Sequence, residues 1–181
     1  MEIHDADLLN TMDTILLIII GTLSRLAPHP ANVTAVGALA VFSGSRYGKL
    51  KGLIVIFGTM LVSDVVLGLH PVMWATYGSF AISVLLASIF LRKRSMMRIA
   101  GVTLTSSIIF YLVTNYAVWA VPGSMYPKTP AGLIDSYIMA IPFFRNSLLG
   151  DLFYSAVFFG ANEYICIRKY LCHVKRATNH T

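Results

Sequence analysis

Five polar residues stand out in a chain otherwise built to avoid water: Arg25, Asn32, Asp64, Asn115 and Asp151. Each lies in or beside a long apolar run, where an ionisable or amide side chain is costly and marks a site or an internal pairing. Counted inward from the outer ends of their runs at the rise of a helix, Asp64 lies about 7 Å deep, Asn115 about 9 Å and Asp151 about 6 Å. Arg25 ends the first run, and His29 and Asn32 occupy the turn Pro28-His29-Pro30-Ala31-Asn32. Five segments therefore bring polar groups to one outer third, while the inner halves are nearly free of them. Arginine forks such as Arg25 and Arg145 suit carboxylate or phosphate groups. The chemistry this describes is recognition of a small polar solute from outside.

Catalysis is not expected. The chain has no Gly-rich phosphate loop after a strand, no nucleophile with a base and an orienting partner, and no paired-carboxylate arrangement. No metal or cofactor is expected either. His29 and His70 each precede a proline without ligand spacing, and Cys166, Cys172 and His173 do not form a zinc pattern. The two cysteines lie beside basic residues and are expected to stay reduced.

The outer charges balance. The basic groups Arg25, Lys128 and Arg145 equal in number the acidic groups Asp64, Asp135 and Asp151. Two readings follow. One is an ion-pair network that ties helix ends together in a non-transporting scaffold or a partner of envelope machinery. The other is a solute site offering both signs of charge, with Trp119, Tyr116, Tyr126 and Trp74 either stacking on a flat ligand or forming an interfacial aromatic belt. The candidate binding set is Arg25, His29, Asn32, Asp64, Asn115, Trp119, Tyr126, Lys128, Arg145, Asn146 and Asp151.

The elements that must position these residues belong to a membrane. Of the 181 residues, 56% are hydrophobic and 12% charged, against about 25% charged in soluble domains. The length suits one domain over 1–181. Apolar runs cover residues 8–27, 32–44, 52–69, 72–91, 99–121 and 147–167, and in a bilayer such runs must be helices. The run 32–44 spans roughly 20 Å against a hydrocarbon core of about 30 Å, so it tilts, extends or re-enters. Basic residues cluster at Arg46, Lys49 and Lys51, at Arg92, Lys93, Arg94 and Arg98, and at Arg168, Lys169, Lys175 and Arg176. Six spans with these clusters inside put both termini in the cytoplasm, in the plasma (inner) membrane. A re-entrant 32–44 would move the N-terminus outside. The net charge of +6 follows this topology and does not call for nucleic acid.

Between the last two runs, Thr129 can cap a helix and Pro130 suits its first turn. Leu133, Ile134, Tyr137, Ile138 and Ile141 then share a face opposite Asp135 and Ser136, and Pro142 ends the helix. The segment 130–141 reads as a short amphipathic surface helix over the pocket mouth. Ala40, Gly44 and Gly48, spaced by four, favour close helix packing. Residues 174–181 are expected to fray.

The motifs Arg25-Leu26-Ala27-Pro28-His29-Pro30-Ala31-Asn32-Val33-Thr34, Ser63-Asp64, Thr114-Asn115-Tyr116-Ala117-Val118-Trp119, Met125-Tyr126-Pro127-Lys128-Thr129 and Pro142-Phe143-Phe144-Arg145-Asn146 resemble those of an uncharacterised family of small bacterial membrane proteins. That family is similar in plan to the substrate-binding S-components of energy-coupling-factor (ECF) vitamin transporters. The resemblance implies an all-α bundle of about six transmembrane helices, both termini inside, and an outer pocket for a vitamin-like solute under a loop. It also implies an ECF-type energising module as partner. One departure is the first helix: Leu16-Leu17-Ile18-Ile19-Ile20-Gly21-Thr22-Leu23-Ser24 lacks the alanines spaced by four with which S-components meet that module.

Overall fold

The computed structural model describes residues 2–178, with side chains described over 12–168. Five helices follow one another: α1 (Glu2–Leu26), α2 (Val36–Leu67), α3 (Met73–Phe90), α4 (Met96–Ala120) and α5 (Pro130–Thr178). No strand occurs among the described residues. Helices α2, α3 and α4 are long and apolar enough to cross a membrane, which marks the chain as a membrane protein.

The six expected runs fall into five helices because two of them are the arms of α2. Gly48 inside α2 has φ 79° and ψ −176°, a backbone conformation essentially reserved for glycine. A Cβ placed on Gly52 would lie 3.0 Å from the Gly44 nitrogen, whereas residues eight apart in a continuous helix are about 12 Å apart. The chain therefore doubles back at Gly48, and residues 36–47 and 49–67 run antiparallel. Close packing holds this hairpin to its neighbours. A Cβ on Gly44 would strike the Val84 carbonyl of α3. Of the small residues spaced by four, Ala40 and Gly44 serve packing, as expected, while Gly48 is the turn itself.

Around the hairpin the core forms. Leu39, Val41, Val55, Ile56, Val84 and Leu91 are fully buried. Phe42 packs against Phe158 and Phe159 of α5, at 5.6 and 5.3 Å. Helix α1 lies against both arms: Gly21 faces Leu39 and Thr59, and Ile18 faces Gly58. Its other face, including Ile15, Leu16, Ile19 and Leu23, is exposed, as suits a surface turned to lipid. Helices α3 and α4 run antiparallel through Phe80 and Phe110. Helices α4 and α5 do so through the pairs Ser107–Asp151 and Thr103–Ser155. Arg94, between α3 and α4, donates to the Ser45 hydroxyl and carbonyl at 3.2 and 3.3 Å. Two basic clusters therefore share one end of the bundle, opposite the end that holds Arg25 and Asp64.

Helix α5 departs from expectation. Its start is as read: the Gly132 N–H donates to the Thr129 hydroxyl at 3.1 Å, with Pro130 in the first turn. Pro142 does not end it, and the helix runs through Pro142 to Thr178. A proline removes one N–H and crowds the preceding turn, but within a membrane an uninterrupted helix satisfies every other backbone group. The segment 130–141 is thus the first part of α5, not a separate surface helix. Its inward face is also different. Gly132, Ser136 and Ala140 are buried, whereas Ile134, Ile138 and Ile141 are exposed. Small residues spaced by four let the helix approach closely. Gly132 abuts the Pro127 carbonyl with no room for a Cβ. Tyr111 and Tyr137 each donate to a backbone carbonyl of the other's helix, at 2.7 and 2.9 Å. The segment 174–181, expected to fray, is helical as far as Thr178, and residues 179–181 lie outside the described residues.

Candidate functional site

Residues 27–35, between α1 and α2, form an irregular segment. Asn32 sits at φ 63°, in the left-handed region that asparagine tolerates better than most residues. Three bonds fix the segment. The Val33 N–H donates to the Pro30 carbonyl, the Ala35 N–H to the Ser24 hydroxyl, and the Asn146 amide to the Ala31 carbonyl. Irregular backbone in a membrane protein is tolerated where it lines a cavity, and this segment lines one. A cavity of about 420 Å³ is bounded by Arg25, His29, Asn32, Thr34, Met60, Thr76, Phe80, Phe110, Ser147 and Asp151. A second, of about 230 Å³, shares Asn32, Thr76, Phe110 and Ser147 with it and adds Tyr111, Asn115 and Phe144. The two adjoin through these shared residues, and together their linings hold charged and amide groups as well as aromatic rings.

Two buried carboxylates flank it. Asp64, 2% exposed, pairs with Arg25 at 2.7 Å. The same guanidinium nitrogen donates to the Ser63 hydroxyl at 2.6 Å, and the Tyr77 hydroxyl donates to Asp64 at 2.9 Å. This network joins α1, α2 and α3. Asp151, 8% exposed, has no cation beside it among the described residues. It accepts from the Ser107 hydroxyl at 2.7 Å and from the Ala38 N–H. Ala38 is the third residue of α2, so Asp151 serves the open N–H groups and positive dipole end of that helix from another element. Gly37 makes this seat possible, because a Cβ there would collide with the Asp151 carboxylate.

Another cavity, of about 440 Å³, lies between α4 and α5 at the opposite end, beside Arg94, Asn162 and Glu163. Its walls are mostly apolar, and no buried charged group points to it as the polar site.

Over residues 7–176 the chain matches a family of unknown function, DUF6580. The chain belongs to that family. No curated protein and no solved structure matches it.

In this DUF6580 chain the sequence-derived set divides. Arg25, His29, Asn32 and Asp151 line the larger cavity, and Asn115 lines the adjoining one. Asp64 stands behind Arg25 as its counter-ion. Asn146 ties the irregular segment to α5 and so acts on the cavity from outside it. The other residues stand apart. Trp119 donates its indole N–H to the Pro127 carbonyl at 2.9 Å. Lys128 donates to the Trp119 and Val121 carbonyls and lies over the Trp119 ring. Both close the α4–α5 connection on itself. Tyr126 belongs to that same connection and borders neither cavity. Arg145 is exposed and bonds to no described residue. The balanced outer charges do not form a network: among the described residues the ion pair is Arg25–Asp64 alone.

Sequence reasoning missed Ser63, Tyr77, Ser107, Thr76 and Ser147. The signal available was hydroxyl residues four apart within apolar runs, such as Thr103 with Ser107, facing Asp151 with Ser155. Cys166 is exposed and free, and the side chain of Cys172 lies outside the described residues.

Proposed function

We propose that this chain is a single-domain, multi-pass protein of the plasma (inner) membrane that binds a small vitamin-like solute from the outer side, as the substrate-binding subunit of an uptake system. The hollow formed by the irregular segment 27–35, Arg25, Asn32, Asn115 and Asp151 carries this reading. Counting the two arms of α2 separately gives six antiparallel segments, and the basic clusters near Gly48 and Arg94 lie together at one end. By the positive-inside rule that end is cytoplasmic, with both termini, and the hollow opens outward. The arm 36–47 is too short to span the hydrocarbon alone, and its N-terminus begins at the hollow. Broken helices whose ends meet at a cavity are a recurrent plan for membrane solute sites.

The plan is similar to that of ECF S-components. The apolar face of α1, with Ile15, Ile19 and Leu23 outward, lacks their alanine row, so a partner there would meet a surface of larger side chains. The role is binding and passage, without covalent chemistry.

A second reading has one observation in its favour: Arg25, Asp64 and Asp151 all have partners within the chain. On that reading the protein is a membrane scaffold, or a partner of envelope machinery, and the polar groups are internal ties. Native mass spectrometry of the protein released from mild detergent separates the two. A reproducible small-molecule adduct, lost when Asn115 and Asn32 are changed to Leu in a variant that still elutes as a folded species, supports the binding subunit. A clean apo mass with a stable protein partner supports the scaffold.

A further inference from the structure

We propose that the hollow selects solutes that carry a positive charge on a compact apolar or aromatic body. This deepens the solute-binding reading and rests on it.

Three titratable side chains line the larger cavity: Arg25, His29 and Asp151. The Arg25 charge is matched at 2.7 Å by Asp64 directly behind it. His29, exposed, holds the Pro30 carbonyl through one ring nitrogen at 2.9 Å and lies 3.4 Å from the Arg25 carbonyl through the other. Asp151 is more than nine-tenths buried, lines the cavity and has no cation of its own among the described residues. Its hydrogen bonds come from one hydroxyl and one backbone N–H. A carboxylate offers about four acceptor positions, so half of its capacity remains. The N-terminus of α2 contributes about half a positive charge at most. Asp151 is thus the acidic group of the lining that no cation offsets among the described residues.

A buried carboxyl with free acceptor positions is held in its ionised form by an opposite charge placed beside it. Apolar groups of the same lining set the rest of the solute. Phe80 and Phe110 stand 5.0 Å apart, inclined by 30°, and Met60 lies beside them in the lining. Rings of this kind attract both cations and flat apolar groups. The cavity volume of about 420 Å³ is near the lower end of small-molecule sites, about 300–1,000 Å³. A small organic ammonium or a positively charged heterocycle meets all three conditions.

The test compares three probes with one apolar body: phenethylamine hydrochloride, phenylacetate and phenethyl alcohol. Each is titrated into the full-length protein in mild detergent at pH 7, with binding read by microscale thermophoresis. The expected result is saturable binding of the amine at least tenfold tighter than that of the alcohol, with phenylacetate weakest. In Asp151→Asn the amine should lose its advantage and match the alcohol, whose retained binding reports an intact cavity. Phenylacetate binding as well as or better than the amine in the unaltered protein overturns the charge assignment and leaves the solute-binding reading standing. Saturable binding of none of the three overturns both. The probe comparison needs no variant, so a poorly folded Asp151→Asn protein does not shelter the proposal.

Discussion

Two carboxylates, both nearly inaccessible, are held in opposite ways. Asp64 has a full counter-charge in Arg25, a phenol from Tyr77 and a place between three helices. Asp151 has a hydroxyl, a backbone N–H and a cavity. A charge that is neutralised internally is part of the frame. A charge left with spare acceptor capacity at the edge of a hollow is available to something else. In an apolar chain both look alike, since each is a lone aspartate in a hydrophobic run. What distinguishes them is which helix end comes to meet them: the basic end of α1 at Asp64, and the short arm of α2 at Asp151.

The sharpest way to break this comparison is to remove the frame charge. Asp64→Ala leaves the Arg25 guanidinium without its partner, and breaking a buried pair from one side costs about 3–5 kcal/mol. The expected outcome is loss of most folded protein, seen as a collapse of yield and of the thermal unfolding midpoint in detergent. Replacing both partners, Arg25→Met with Asp64→Leu, should recover much of that loss, because a well-packed apolar pair is close to neutral relative to a buried ion pair. If the single and double variants are equally unstable, the pair is not what joins α1 to α2.

Next in size is Gly37→Ala. The added methyl would occupy the place of the Asp151 carboxylate, so either the carboxylate or the start of α2 must move. Overpacking of this kind costs about 1–3 kcal/mol. Thermal unfolding should show that loss, while the same change at Gly101, which has nothing within 4 Å of a new Cβ, should leave the midpoint unchanged or slightly raised, since alanine is the better helix former. Equal effects at the two glycines would remove Asp151 from the α2 N-terminus.

Much of this architecture was legible in the residues. The apolar runs fall on α1, on the two arms of α2, on α3 and on α4, and the last run lies inside the longer α5, because a bilayer admits no other backbone solution for such runs. Thr129 and Pro130 announced the start of α5, and Arg25, His29, Asn32 and Asp151, taken together from their depth and spacing, line one cavity. The failures have specific causes. The turn at Gly48 takes one residue, and a glycine among small residues spaced by four reads equally well as a packing contact. Pro142 is a stop in water but a tolerated interruption where the helix has no better alternative. The segment 130–141 was read as a surface helix with one apolar face, whereas its small residues Gly132, Ser136 and Ala140 face inward and Ile134, Ile138 and Ile141 outward. Lys128 and Trp119 carry side chains that suit a ligand, yet they satisfy carbonyls of their own connection. Sequence spacing cannot tell a polar group facing a hollow from one facing its own backbone.

Asp151→Asn should be much milder than Asp64→Ala. The amide keeps an oxygen for the Ser107 hydroxyl or the Ala38 N–H, and what is lost is chiefly the interaction of the carboxylate with the start of α2, about 0.3–1 kcal/mol, up to about 2 when partly buried. Thermal unfolding should therefore fall by a small step, and elution as a single folded species should persist. A collapse comparable to that of Asp64→Ala would make Asp151 a frame charge as well and erase the distinction between the two.

The smallest effect is expected at Arg145. It is exposed and touches no described polar group, so Arg145→Ala should shift stability by no more than about 0.5 kcal/mol. It should also leave small-molecule binding in the hollow unchanged, because its neighbour Asn146, not Arg145, reaches the irregular segment at Ala31. Thermophoresis with phenethylamine, with and without the substitution, checks this. If Arg145→Ala weakens binding while the unfolding midpoint stays fixed, the region around Pro142 moves toward the hollow on binding, and the part of α5 over 130–141 acts as the cover that its amphipathic sequence first indicated.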